Sequence, residues 1–316
     1  MKYYFAPLEG ITWYIYRNAH HQFFPGVDKY FAPFIVAGTR RQFSAREEND
    51  LTLAHNQKVS LIPQVLVNQV DDFLYTWNKL QDLGYQEVNL NFGCPSGTVV
   101  SKKRGAGFLE DVKELDRFLE GIFSVTDSKI SIKTRIGIEN PDEFYELIHV
   151  YNKYPLEELI IHPRVLKDYY KNKPHISIYQ EAVKLSKNSV CYNGDIVRYS
   201  DYAGLVSNDC VTEKIMIGRG LIRNPGLIRE LNGLPMITRE ELSDFHNKDF
   251  YDYKEILSGD KNVLYRMKEI WAYMIDLFSD HEKYAKKIRK SQNCQEYESI
   301  ITALFHDLEL VKKHKG

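Results

Sequence analysis

Short apolar or alternating runs recur along the chain: YYFAPL, KYFAPFIVA, VSLIPQVLV, QEVNLNF, KISIKTRI, EELIIH, SVCYNG and KIMIGRG. They start near Tyr3, Lys29, Val59, Gln86, Lys129, Glu157, Ser189 and Lys214. Runs of this length and composition predict strands. Each gap between them has room for a helix, and the gap after Phe92 is the longest. Repeated strand–helix units imply parallel strands. Eight of them over about 230 residues suit an α/β chain folded as a (β/α)8 TIM barrel, whose usual size is near 250 residues. The competing doubly wound sheet places a G-x-G-x-x-G loop after its first strand. Here that position reads APLEGITWY and lacks the motif.

The gaps carry helical patterns. DDFLYTWNKLQDLG, Asp71 to Gly84, begins acidic, ends in glycine and spaces Phe73, Leu74, Trp77, Leu80 and Leu83 for one face. EDVKELDRFLEGIF and NPDEFYELIHVYNKY repeat the pattern, with Asn140 placed as an N-cap and Pro141 at the first helical position. The pattern changes after NGLP, Asn232 to Pro235. From Thr238 onward no strand pattern is found. Leu264, Met267, Ile270, Trp271, Met274, Leu277 and Phe278 form one helical stripe, and Ile300, Ile301, Leu304, Phe305 and Leu308 another. Between them lies KYAKKIRK, with Lys283, Lys286, Lys287 and Lys290 on one face. The chain therefore divides into a barrel over residues 1–235 and a small all-helical domain over 236–316.

Composition narrows the partners. The formal net charge is -1. A nucleic-acid site would have to be a local basic patch, not a whole-protein field. Four widely separated cysteines, Cys94, Cys191, Cys210 and Cys294, form no C-x-x-C pair, which argues against a zinc site; a chain of this size needs no disulfides. MKYYFAPLEG lacks the apolar core of an export signal, and no run approaches the roughly 18 apolar residues of a membrane span. The expectation is a cytoplasmic protein with reduced thiols, no metal and no membrane attachment. Nothing demands more than a monomer.

In barrel enzymes the chemistry sits at the C-terminal ends of the strands. Those ends carry Pro7-Leu8-Glu9, Gln64, Asn91 then Cys94, Lys133 with Arg135, His162 then Arg164, Asn193-Gly194-Asp195, and Gly218-Arg219-Gly220. The glycines of the last two segments let backbone N–H groups approach an anion, at the strands where barrels commonly hold a phosphate. Each segment taken alone is also an ordinary turn. Lys133 can hold negative charge on a ligand ring or snorkel to the rim. His162 ends an apolar strand, where a satisfied core histidine is the common case. Gln64 has the donor and acceptor of an amide-edge reader, and equally of a buried side chain bonded to its neighbours. Cys94 stands apart from the other cysteines: Gly93 and Pro95 end the strand and place it in a loop at the reactive end. A thiol there can be a nucleophile or, with a free pKa of about 8.5, a proton donor toward a carbanion.

The set NFGCPSGTVVSKKRGAGFL, SIKTR, IIHPR, YNGDI and IMIGRGLIRNP, in this order at these strand ends, resembles the flavin-dependent tRNA-dihydrouridine synthases of bacterial type. The resemblance covers roughly residues 1 to 232, and the helical tail stands where that family has its RNA-binding domain. It implies FMN at the top of the barrel, reduced by NADPH, and hydride transfer from flavin N5 to C6 of a tRNA uridine. Cys94 matches the proton donor to C5, and Asn91 a residue beside the uracil. Pro7, Leu8, Glu9, Gln64, Lys133 and His162 match positions that hold the flavin ring, although Leu8-Glu9 departs from the methionine and small residue of many members. Asn193, Gly194, Asp195, Gly218 and Arg219 match the phosphate-binding motifs. Arg164, in an HPR context that differs from the commoner one, matches a substrate contact. Lys102, Lys103 and Arg104 on the Cys94 loop, and Lys286, Lys287 and Lys290 in the tail, would meet tRNA phosphates; alone, each group also reads as a solvated charge run. Two other readings stay open: an FMN barrel acting on a small molecule, like a dihydroorotate dehydrogenase, and a non-catalytic RNA-binding barrel.

Overall fold

A computed structural model describes residues 1–38, 42–207 and 212–311; Cys210 lies outside the described residues. Its strands are β1 (Lys2–Phe5), β2 (Lys29–Phe31), β3 (Ile35–Val36), β4 (Leu61–Ile62), β5 (Gln64–Leu66), β6 (Glu87–Phe92), β7 (Lys129–Arg135), β8 (Leu159–His162), β9 (Val190–Asn193) and β10 (Lys214–Ile217). They form one sheet in the order β3-β5-β6-β7-β8-β9-β10-β1-β2-β4. The paired strands run parallel. Pro33 and Pro63 have no N–H to give to a ladder and split two longer strands. β2 with β3 is one of these and β4 with β5 the other, and they pair half for half. Between the halves the Ala32 N–H still reaches the Ile62 carbonyl at 3.0 Å. The sheet order therefore returns on itself as eight strands. The expected (β/α)8 barrel is what forms, with strands beginning where the periodicity placed them.

The first helices are α1 (Tyr14–Phe23), α2 (Ala45–Leu51), α3 (Val70–Asp82), α4 (Gly97–Val100), α5 (Val112–Phe123), α6 (Phe144–Tyr151) and α7 (Ile176–Leu185). They are followed by α8 (Tyr199–Ser207), α9 (Arg219–Arg223), α10 (Leu227–Leu231), α11 (Arg239–Ile256), α12 (Asp260–Met274), α13 (Glu282–Lys290) and α14 (Cys294–Asp307). Local chemistry sets their starts. The Asp111 side chain accepts the Glu114 N–H at the head of α5. Asn140, Pro141 and Glu143 make a capping box on a short 3-10 turn that leads into α6. No helix among the described residues is long and apolar enough to cross a membrane.

The chain divides into two compact units, residues 1–7, 28–195 and 205–216 in one, and 8–27, 196–204 and 217–316 in the other. In the first, inward positions two apart read charged, then apolar, then polar on β8 and the residue before it (Glu158, Ile160, His162), whereas β6 reads Glu87, Asn89, Asn91 and is polar at the middle level too. Lys29, Glu87, Glu158 and Lys214 form the lowest layer: Lys29 Nζ lies 2.8 Å from Glu87 and 3.6 Å from Glu158, and Lys214 and the Tyr4 hydroxyl both donate to Glu158. Above it Tyr4, Ala6, Phe31, Ile62, Ile160, Cys191 and Met216 pack as one buried cluster, each large side chain contributing about 1.5–3 kcal/mol of burial. The polar third layer opens the mouth.

The second unit is helical. Tyr16 of α1 and Phe24 at its margin meet Phe245 of α11 edge-on, Tyr16 stacks on His20, and His20 lies tilted against Phe24. In the tail, Trp271 donates to the Tyr297 hydroxyl at 2.7 Å, and His246 Nε2 lies 2.8 Å from the same oxygen. The expected stripe on α12 is buried through Leu264, Met267, Ile270, Trp271 and Met274. One isolated antiparallel bridge, Phe278 to Leu310, ties the tail's end, a contact too short to leave a strand pattern in the sequence.

Candidate active site at the barrel mouth

The mouth is built on β5, β6 and β7, whose register sets Gln64 against Asn89 and Asn91 against Lys133. A chain of amides runs across it. Asn89 donates to Ser131 Oγ at 2.9 Å, Gln64 donates to Asn89 at 2.8 Å, and Asn91 donates to Gln64 Oε1 at 2.7 Å. The Asn91 side-chain Oδ1 then accepts the backbone N–H groups of Gly93 and Cys94, at 3.0 and 2.9 Å. Asn91 thus caps the turn that lifts Cys94 out of the strand. Each amide has two N–H groups and two lone pairs, so Gln64 and Asn91 keep capacity for a ligand.

Cys94 is a free, half-buried thiol. The loop behind it is braced. The Ala106 N–H donates to the Cys94 carbonyl at 3.0 Å, and Gly105 at φ +55 lies so close that a Cβ there would sit 2.8 Å from that same oxygen. The Asn68 amide donates to the Lys102 and Lys103 carbonyls, and Arg104 donates back to Asn68 at 3.2 Å. Lys102 and Lys103 are exposed. Arg104 does not share their outward face: it is folded back to within 3.8 Å of Asp72.

Lys133 projects inward, while Thr134 on the opposite face of β7 contacts the Tyr151 hydroxyl of α6 at 3.0 Å. Burial first, and then the Arg135 guanidinium, lower the Lys133 pKa to about 8. Its ammonium has no hydrogen-bond or ion-pair partner among the described residues, so it is a recessed cation available to a ligand. Beyond it, His162 ends β8, and Arg164 lies 2.9 Å from its Nε2 while pairing with Asp195. Arg164 is 1% exposed, so the structure places it within the wall of the mouth. Asn193 donates to the Met216 carbonyl at 2.8 Å.

Two contributors, Asn89 and Tyr170, were not singled out from the sequence, and a third, Arg135, was singled out only by its place at a strand end. Asn89 joins the amide chain; the N-x-N alternation of β6 carried the signal, since residues two apart share a face. Arg135 donates to the Gly93, Val165 and Tyr169 carbonyls, at 3.0, 2.8 and 3.0 Å, and ties the Cys94 turn to the loop after β8. The exposed Tyr170 ring stands 5.5 Å from that guanidinium and 6.0 Å from the His162 ring.

Pro7 closes the first unit's opening segment. Gly194 also lies in the first unit, and Leu8, Glu9, Gly218, Arg219 and the α13 lysines lie in the second. Leu8 N–H donates to Thr12 Oγ1 at 2.8 Å, and Glu9 is exposed. Gly218 precedes α9, which Arg219 begins. Gly220 approaches the Ile196 carbonyl so closely that a Cβ would lie 2.2 Å from it, which explains the second glycine of G-R-G as packing. On α13, Tyr284 and Ile288 are buried, and Lys283, Lys286, Lys287, Arg289 and Lys290 are exposed.

A family profile described as dihydrouridine synthase matches residues 4–314. A probable tRNA-dihydrouridine synthase of Helicobacter pylori is 29% identical over 192 residues, 59% of this chain and 57% of that protein. A tRNA-dihydrouridine(16) synthase of Vibrio parahaemolyticus is 26% identical over 218 residues, 66% of this chain and 65% of that one. The chain thus spans less than two thirds of the length of these relatives. Among solved structures, a morphinone reductase in complex with tetrahydroNAD is similar with a TM-score of 0.54 at 11% identity, covering 74% of this chain and 87% of that one. That likeness is one of fold.

Proposed function

Because the chain belongs to the dihydrouridine synthase family, we propose that it reduces specific uridines of tRNA to 5,6-dihydrouridine in the cytoplasm, with FMN as flavin and NADPH as reductant. The observation that carries this reading is the meeting, at one end of one barrel, of a free thiol, a recessed unpartnered ammonium and an amide chain with spare donors. These groups fit a flavin. Lys133 would face the electron-rich edge of the ring, Gln64 and His162 would bond its heteroatoms, and the backbone around Asn193 and Gly194 would serve the phosphate. When bound, the flavin supplies hydride to C6 of the pyrimidine.

The chain's own residues do the rest. Asn91 holds Cys94 through two backbone bonds and offers a remaining N–H to the uracil edge. The Cys94 S–H bond breaks and its proton goes to C5, so that one hydride and one proton saturate the C5–C6 double bond. Solvent then reprotonates the sulfur. The target base must leave its stack to reach this depth, at a cost of a few kcal/mol. Residues 1–235 would hold the chemistry, and residues 236–316, through the outer face of α13, the tRNA backbone.

The test is anaerobic. The flavin-loaded protein is reduced with NADPH and mixed with tRNA lacking dihydrouridine. The oxidised flavin spectrum should return and dihydrouridine should appear. Cys94→Ala should keep flavin and its reduction but lose uridine reduction by about 10²–10⁴-fold, the range for a positioned acid. Reduced flavin that ignores tRNA, or full turnover in Cys94→Ala, would reject the reading.

A further inference from the structure

We propose that Asp195 and Arg164 are positioning residues that hold His162 as the neutral Nδ1–H tautomer, which makes this ring a hydrogen-bond donor at the barrel mouth and not a base. Arg164 lies two residues past His162 and is buried at 1% exposure. Its Nη1 stands 2.9 Å from His162 Nε2 and 3.0 Å from Asp195 Oδ1. Its Nη2 donates to Asp195 Oδ2, and its Nε donates to the Asn172 carbonyl at 2.7 Å. A guanidinium has donors only and does not lose its charge in proteins. The contact with His162 therefore has one possible polarity: Nε2 accepts. An accepting Nε2 bears no proton, so the proton of the neutral ring is on Nδ1. A second proton at Nε2 would set two N–H groups against each other beside a fixed positive charge.

Asp195 gives the arrangement its direction. A carboxylate that takes both terminal nitrogens fixes the guanidinium plane, and with it the line from Nη1 to the ring. The Tyr170 ring, 6.0 Å away and tilted by 38°, restrains the same imidazole from another side. Asp195 belongs to the N-G-D segment that the sequence associates with phosphate, yet a carboxylate repels a phosphate. Its pairing with Arg164 gives the side chain a different task and leaves anion contact to the neighbouring backbone. An Nδ1–H donor suits an acceptor, such as a carbonyl oxygen or an unprotonated ring nitrogen of the cofactor. Only that last identification rests on the flavin reading.

The experiment is ¹⁵N NMR of the full chain labelled at histidine. The sequence has 10 histidines, and the His162 signals are those absent from His162→Asn. Long-range proton–nitrogen correlations should show a protonated-type shift at Nδ1 and an unprotonated-type shift at Nε2. In Arg164→Met the ring should become a mixture of the two tautomers, and in Asp195→Asn a fraction should do so. An Nε2–H tautomer or an imidazolium in the unsubstituted protein would overturn the proposal, and this measurement stands even where Arg164→Met does not fold. An unchanged pattern in folded Arg164→Met would overturn it too, and an unchanged pattern in Asp195→Asn would remove Asp195 from it. Added FMN should shift Nδ1. The expected tautomer without that response would sustain the Arg164 arrangement and reject the flavin reading.

Discussion

Gly105→Ala should move Cys94 and weaken the barrel together. Gly105 has φ +55, a conformation that costs an L-residue about 1–2 kcal/mol. Its added Cβ would lie 2.8 Å from the Cys94 carbonyl oxygen, 2.9 Å from Val99 Cγ1 and 3.0 Å from Cys94 Cβ, where ordinary contact begins at 3.4 Å. Two of the three atoms belong to Cys94, and one of them is backbone, so the strain cannot be absorbed by a side-chain tip. The turn must yield by roughly half an ångström, and the Ala106 to Cys94 hydrogen bond of 3.0 Å yields with it, at about 1 kcal/mol. The sum is about 2–3 kcal/mol, or a fall of roughly 5–10 °C in melting temperature for a domain of this size. A 1 Å misplacement of a reacting group costs about 10²-fold, so half of that predicts about a tenfold slower single turnover of uridine in flavin-loaded protein.

Gly97→Ala is the control within the same loop. It opens α4, and a Cβ there would meet nothing within 4 Å. It should leave the turnover rate unchanged and stabilise by up to about 1 kcal/mol through the lost freedom of the unfolded chain. A Gly105→Ala protein with the original melting temperature and single-turnover rate would refute the argument that this contact sets the thiol. Equal losses in both variants would do so as well, since the loop would then be sensitive to any added methyl.

Asp249 on α11 is 1% exposed with both carboxylate oxygens unpartnered, and burial, then Asp252, raises its pKa well above the usual value. A raised folded-state pKa means that the native protein holds the proton more tightly, so this group's contribution to stability falls as pH rises above about 4, by about 1.4 kcal/mol per pH unit, until the folded pKa is reached. Asp249→Asn should therefore raise the urea midpoint at pH 8 and leave it nearly unchanged at pH 4; equal midpoints at pH 8 would show a carboxylate that is solvated after all. Reversing Lys286, Lys287 and Lys290 to glutamate should weaken tRNA binding and reduce the slope of log affinity against log salt by about 2–3, whereas an unchanged slope would make the outer face of α13 a solvated surface.

Strand positions were legible because burial on both faces leaves continuous apolar runs with sharp polar ends. What those ends do was only half legible. Lys29, Glu87, Glu158 and Lys214 stand at or beside the starts of quoted runs and read as the solvated margins of strands. In the barrel they face one another as the ionic lowest layer, because closure of the sheet brings together residues up to 185 positions apart, and no local pattern reports that. The same holds at the mouth. Gln64, Asn91 and Lys133 could be placed by strand parity alone, but the Arg164 pairing with Asp195 spans two loops, and its effect on His162 depends on a nitrogen-to-nitrogen distance. Arg104 was grouped with Lys102 and Lys103 by adjacency, while Lys103 at φ +51 turns the chain between them and sends the arginine inward to Asn68.

The braced loop changes where the energy of catalysis must come from. A glycine-bounded basic segment suggests, as sequence, a flap that closes on its substrate. In the fold it is held by the Asn68 amide, the Arg104 side chain, the Ala106 hydrogen bond and the Gly105 contact before any substrate arrives. On the proposed function, a preformed acid site would lower the ordering cost at the moment of reaction and leave less of the work of drawing a base out of its stack to loop closure. The few kcal/mol of base extrusion would then come from RNA contacts made elsewhere, for which the exposed Lys102 and Lys103 beside the mouth and the exposed lysines of α13 are the candidates. On this reasoning, removing tail charge should slow single turnover at low tRNA concentration and spare it at saturation if the tail serves encounter alone. If the tail helps to hold the extruded state, turnover should stay slow at saturating tRNA.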